Sequence, residues 1–182
     1  MEIIFIRHGK PNGATNPKLT SSGFAQWLMT YKQSKVAAES YPPKNLQCLL
    51  NTHFIIASDL TRAIHSAYLC LGREPDLKLN QLREIDIPTY HLPFVCRAYS
   101  WVFISLLLWF LGAKSNCESI KQVKYRAHES ALFLQQLALE HEKIAVFGHS
   151  VNNVCVTTEL IKLGWFGLPK GNKYWGTIKL IH

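Results

Sequence analysis

The sequence predicts an α/β domain, a three-layer sandwich with a mainly parallel central sheet. Three observations predict it. Short continuous apolar runs at 3–6, 54–57 and 144–147 have the length and uniform hydrophobicity of strands buried on both faces. Each run is followed by residues whose apolar positions recur at helical spacing. Strands that alternate with helices in this way lie parallel, because the intervening helix carries the chain back to the starting edge. A length of 182 residues fits one domain spanning 1–182 around one core.

The elements follow in order. Ile3, Ile4, Phe5 and Ile6 form the first strand. After a loop rich in Pro, Asn and Gly, Thr20 or Ser21 caps a helix bearing Phe24, Trp27, Leu28 and Tyr31 at i, i+3, i+4 and i+7. The second strand, Phe54 to Ala57, runs into Ser58 and Asp59, then a helix through Leu60, Ala63, Ile64, Ala67, Tyr68 and Leu71. Residues 72–97 hold three prolines without a sustained period and read as a long ordered excursion, the start of an aromatic-rich insertion at about 72–117. Ala98 to Ala113 is an uncharged helix. In the next helix Ile120, Val123, Ala127, Leu134 and Ala138 share one stripe. Ile144 to Phe147 is the third buried strand, and its helix carries Val151, Val154, Cys155 and Thr158 on one side. Thr177 to Ile181 alternates polar with apolar, as expected of an edge strand.

Composition narrows the function class. The chain is 48% apolar and only 18% charged, which excludes a disordered chain or a highly charged tail. A net charge of +8 implies an anionic partner. No basic stripe with interleaved aromatics marks a nucleic-acid interface. Five cysteines without a paired spacing fit neither a disulfide framework nor a zinc site, so a reducing, cytoplasmic setting is expected, with no metal or cofactor. The N-terminal residues do not have the pattern of a signal peptide. The 98–113 segment is shorter than the roughly 20 residues a spanning helix needs. A buried or partner-facing helix is expected there, with peripheral membrane contact as the alternative.

Three predicted strand ends carry unusual polar residues. Arg7-His8-Gly9 follows the first, Ser58 with Arg62 one turn later follows the second, and Gly148-His149-Ser150 follows the third. Ligands of open α/β sheets bind outside the carboxyl ends of the strands. Two arginines, two histidines and helix N-termini converging there suit a phosphate dianion, since guanidiniums and free backbone N–H groups are its natural donors.

These residues resemble the histidine phosphatase superfamily, the phosphoglycerate mutase-like fold. Its strand-Arg-His-Gly opening is matched by Ile6-Arg7-His8-Gly9, its Leu-Thr-x-x-Gly-x-x-Gln element by Leu19 to Gln26, and its Ser-x-Leu-x-Arg-Ala by Ser58 to Ala63. Leu82-Arg83-Glu84, Glu118-Ser119 and Gly148-His149 follow in family order. The resemblance implies that His8 is the nucleophile and forms a phosphohistidine. Arg7, Arg62 and a protonated His149 would stabilise the equatorial oxygens, and Glu84 would protonate the leaving group, with Asp86 in reserve. Gly9, Asn12, Ser58 and Ser150 are the expected substrate contacts. Where the family commonly has Asn six residues beyond the nucleophile, this chain has Ala14, with Asn12 and Asn16 nearby, which disfavours a mutase. The substrate is then a small phosphorylated compound or a phosphoprotein.

Two rival readings come from the same residues. Gly148-His149-Ser150-Val151-Asn152 imitates a nucleophile elbow with Ser150 as a serine-hydrolase nucleophile, though its final Gly is Asn152 and only Glu159 and His182 follow. A family member without turnover would bind phospho-ligands or a protein partner instead.

Overall fold

The computed structural model describes residues 1–169 and 173–182. Its main sheet has six strands: β1 (Glu2–Arg7), β3 (Phe54–Ser58), β4 (Leu77–Leu79), β6 (Lys143–Gly148), β7 (Phe166–Gly167) and β8 (Thr177–Ile181). They lie in the order β4-β3-β6-β1-β8-β7. The first four are mutually parallel; β8 is antiparallel to β1, and β7 to β8. β2 (Lys18–Leu19) and β5 (Cys96–Arg97) pair separately. Among the described residues six helices surround these strands: α1 (Ser21–Gln33), α2 (Lys44–Leu50), α3 (Thr61–Leu71), α4 (Ala98–Phe110), α5 (Ile120–His141) and α6 (Ser150–Lys162). The mainly parallel α/β sandwich is as expected.

The three layers follow from the two-residue period of β1. Ile3 and Phe5 face one way and pack with Ala127, Leu134, Val156 and Leu160 of α5 and α6. Ile4 and Ile6 face the other way and pack with Leu46, Leu50, Ala67 and Cys70 of α2 and α3. All four isoleucine and phenylalanine side chains are buried, which is why the run shows no polar alternation. A third cluster, Phe24, Leu28 and Trp101, lies off the sheet and joins α1 to α4. Trp101 is fully buried, and its indole N–H donates to the Leu19 carbonyl at 2.8 Å. Burying a ring of that size contributes on the order of 5 kcal/mol before ordering costs.

The helix starts are explained by their caps. Thr20 Oγ1 accepts from Gly23 N at 3.2 Å to begin α1. Ser119 and Gln122 form a reciprocal capping box at α5, so the Glu118-Ser119 pair does stand at a helix start.

Four expectations are corrected. The 72–97 stretch contains a sheet strand, β4, whose three residues are too few to show a period. α2, over 44–50, has no counterpart in the sequence reading. On α6 the buried side carries Asn152, Asn153, Val156, Thr157 and Leu160, whereas Val151 and Thr158 are exposed. Hydrophobicity selected the wrong face because the two asparagines are buried through hydrogen bonds: Asn152 donates to Leu82 O at 3.2 Å and accepts from Arg126 at 3.0 Å. Finally, β8 is the second strand from its side of the sheet, with β7 outside it. Its alternation reflects one covered face, where Ile178 and Leu180 are buried. No helix among the described residues is long and apolar enough to cross a membrane.

Candidate active site

Parallel register brings the strand ends together. Arg7 is opposite Gly148 and Ala57 is opposite Phe147, so the residues that follow β1, β3 and β6 emerge side by side. His8, Ser58 and His149 therefore meet although they lie far apart in the chain. The His8 and His149 rings stand edge to face with centroids 5.1 Å apart. His149 Nε2 is 3.0 Å from Ser58 Oγ. Arg62, on the first turn of α3, donates from Nε to His8 Nε2 at 3.2 Å.

Two close backbone approaches keep this geometry. A Cβ at Gly9 would stand 2.5 Å from the Trp175 ring and 2.7 Å from Val36. A Cβ at Gly148 would collide with Asn153 Oδ1, the atom that accepts from His149 N at 3.2 Å. The glycines beside both histidines are needed because other groups press against their backbone.

The hydrogen bonds assign the His8 tautomer. Nδ1 is 2.7 Å from the Gly9 carbonyl, an acceptor only, so Nδ1 carries the proton. Nε2 then keeps its lone pair and accepts from Arg62. Burial pushes the His8 pKa down to about 3, assisted by Arg62 and Arg7 and opposed by the Gly9 contact. His149 is fully buried, and its pKa falls well below the ordinary value through burial first, then the charges of Arg62, His8, Arg7 and Arg126. Without a bound anion, the lack of solvent and the surrounding cations disfavour a charged His149.

Aromatic rings support the arginines. The Arg7 guanidinium lies 4.2 Å from the centroid of Tyr174, and that of Arg62 lies 5.1 Å from Tyr31. Burial lowers the Arg62 pKa and raises that of Tyr31 to about 12, which keeps Tyr31 a phenol.

Arg62, which bonds to His8, also walls a cavity of about 410 Å³ together with Tyr31, Glu84, Asp86, Glu118 and Arg126; neither histidine lines it. Glu84 accepts from Val151 N at 3.3 Å and Asn152 N at 3.0 Å, so its carboxylate caps the first turn of α6. Asp86 is at the rim, in an ion pair with Lys32 at 2.6 Å. Arg126 holds Glu118 through two bonds of 2.9 and 2.8 Å, the Gln81 and Arg83 carbonyls at 2.7 and 3.0 Å, and Asn152 Oδ1. It fastens the loop that carries Glu84.

Of the sequence-derived residues, His8, Arg62, His149 and Ser58 are in direct contact, Arg7 stands beside them through Tyr174, and Glu84 bonds to the backbone of Val151 and Asn152 just past Ser150, the first residue of α6. Gly9 lines the centre by backbone only, and its N–H is given to Ser66 Oγ at 2.9 Å. Asn12 is exposed, does not line the cavity, and gives its backbone N–H to Lys35 O. The sequence reading missed Tyr31, Tyr174 and Arg126. Tyr31 looked like a core position of α1. Arg126 had a signal: a charged residue directly beside the buried stripe position Ala127.

No family model and no curated protein matches the chain. Solved structures do. A mutant phosphoserine phosphatase from Entamoeba histolytica, in complex with phosphoserine, is 15% identical with a TM-score of 0.56, and the match covers 99% of this chain and 90% of that one. TTHB049 from Thermus thermophilus is 22% identical with a TM-score of 0.55, over 86% of this chain and 82% of that one. A candidate alpha-ribazole-5'-P phosphatase from Escherichia coli is 19% identical with a TM-score of 0.53, over 90% and 79%. The chain shares their α/β architecture, the phosphoglycerate mutase-like fold.

Proposed function

We propose that the protein hydrolyses a phosphomonoester through a phosphohistidine on His8. One observation carries the reading: a buried neutral imidazole with its proton fixed on Nδ1 and its Nε2 lone pair directed at a guanidinium. That is the state a nitrogen nucleophile needs, and Arg62 is placed to follow the charge. The phosphatase names of two structural neighbours agree with it.

The reaction runs in two displacements. The phosphoryl group replaces the imidazole as the partner of Arg62 Nε–H, and Nε2 bonds to phosphorus as the bond to the leaving oxygen breaks. Arg62 and Arg7 stabilise the equatorial oxygens. An entering dianion opposes the cation field that holds His149 neutral, so a proton on Nε2 of His149 becomes favourable once the phosphoryl group is bound. Water then attacks phosphorus as the P–Nε2 bond breaks, giving its proton to the Glu84 carboxylate and releasing phosphate. Glu84 reaches the cavity and, when protonated, supplies the leaving oxygen's proton. The test is a screen of phosphorylated metabolites and phosphopeptides, with a rapid acid and alkali quench of labelled protein. Turnover with an alkali-stable, acid-labile phosphoenzyme is expected; turnover without that adduct refutes the histidine intermediate.

Leaving-group chemistry distinguishes the two acids. Glu84→Gln is expected to slow hydrolysis of alkyl phosphates by about 10²-fold or more, and that of activated aryl phosphates far less. Asp86→Asn should change both little. If kcat/KM for alkyl esters instead falls with Asp86→Asn alone, Asp86 is the acid.

One observation favours a second reading. Glu84 is bonded to three backbone N–H groups, those of Ile85, Val151 and Asn152, which engage its carboxylate as an acceptor. A member that binds phospho-ligands without turnover would show phosphate affinity and no hydrolysis in the same screen. The serine-hydrolase reading fits poorly: Glu159 is bonded to Lys162 and His128, His182 packs on Trp165, and His149 Nε2 faces Ser58 rather than serving Ser150.

A further inference from the structure

The helix α4 is apolar on all sides, yet only one side is used inside the molecule. Ala98, Trp101 and Ser105 are buried against α1 and its neighbours. The opposite side presents Tyr99, Phe103, Leu107, Phe110 and Leu111 to solvent, at i, i+4, i+8, i+11 and i+12. Phe103 and Phe110 are 68% and 71% exposed. A stripe of this kind, broken only by the exposed Ser100 near its start, marks a contact face.

Charge indicates what that contact is. Lys18 and Arg97 are partners in the β2–β5 ladder at one end of the stripe. Lys114 and Lys121 flank the other end, around a shallow cavity of about 390 Å³ that Phe110 also lines. Among the described residues none of these four cations is in an ion pair. Nor does the sequence contain a single Asp or Glu between Asp86 and Glu118. The covering surface is therefore apolar opposite the stripe and negatively charged around it.

We propose that α4 docks the protein on an anionic lipid bilayer surface, lying in the plane of the interface. A helix of 13 residues is about 20 Å long, well short of the roughly 30 Å hydrocarbon core, so it lies along the surface and does not cross. Its rings and Leu side chains enter the acyl boundary while the ammonium and guanidinium groups meet lipid phosphates. This assignment is independent of the reaction proposed above, because none of the stripe residues lines the catalytic cavity.

Vesicle flotation of the full chain tests it, comparing phosphatidylcholine vesicles with vesicles of phosphatidylcholine and phosphatidylglycerol in equal parts. Binding to the anionic vesicles, weakened by salt, is expected. Phe103→Glu with Phe110→Glu should reduce it roughly tenfold or more per ring, with hydrolysis of a soluble substrate unchanged. Arg97→Gln and Lys114→Gln should each weaken it about five-fold. Equal binding to both vesicle types, or undiminished binding by the double phenylalanine variant, overturns the proposal. So does a parent protein that binds no vesicles but is a dimer dissociated by the same double substitution, which would assign the face to a second copy.

Discussion

With His8 replaced by alanine, phosphomonoester hydrolysis falls to the level of the blank and no phosphoenzyme accumulates. The loss is expected to be in kcat, because the neighbours of His8 keep their places. Arg62 is still held by the Lys32 carbonyl at 3.3 Å and by the Tyr31 ring. His149 is still fixed by Ser58 and by the Asn153 contact to its backbone. Arg62 also loses the imidazole acceptor and is freer to bind an anion. Titration calorimetry with inorganic phosphate should therefore find affinity equal to or above that of the parent, while turnover is gone. Loss of phosphate binding together with activity, with an unchanged unfolding midpoint, would show that His8 serves as a ligand and not as the nucleophile. Undiminished turnover would remove His8 from the chemistry altogether.

Acidification from neutral pH should destabilise the protein well before carboxylates titrate. His8 is held to a folded pKa of about 3, and His149 well below its ordinary 6.5, in both cases mainly by burial. In the unfolded chain both regain values near 6.5. Above that pH neither state binds the proton and the histidines do not affect the balance. Between about 6.5 and 3 the unfolded chain takes up protons that the folded chain refuses, so folding stability falls as pH falls. Each histidine contributes a slope of up to about 1.4 kcal/mol per pH unit within that window. Glu2, Asp76 and Glu159, with pKa values lowered by their partners, add losses of the same sign at lower pH. Urea midpoints measured from pH 8 to pH 4 should decline from about 6.5 downward, and a His149→Gln variant should decline less steeply. A midpoint that is flat between pH 6.5 and 5 would mean that the two imidazoles accept protons in the folded state.

The same pair shows how far a one-dimensional reading reaches. His8, Arg62 and His149 were legible because each directly follows, or stands one turn past, a strand whose apolar run is unmistakable. Parallel topology then obliges them to share an edge. Glu84 was legible by motif, but its attachment to the start of α6 was not, since that contact is between a loop and a helix 67 residues away. The buried asparagines of α6 were misread because burial there follows hydrogen bonding and not hydropathy. β4 escaped notice because three residues carry no period, and β8 was placed at the edge because alternation reports a covered face, not a position in the strand order.

Thus the sequence alone determined the class of fold, the three strands at its centre, the histidine and arginine set beyond them, and the apolar character of the 98–113 helix. These depend on local periodicity and on residues whose chemistry is fixed by type. Tertiary structure alone decided the His8 tautomer, the neutrality of both histidines, the capture of Glu84 by α6, and which side of α4 is left facing solvent. Those properties arise from distance and solvent exclusion between segments remote in the chain, where a shift of one or two ångströms decides whether a proton is held or refused.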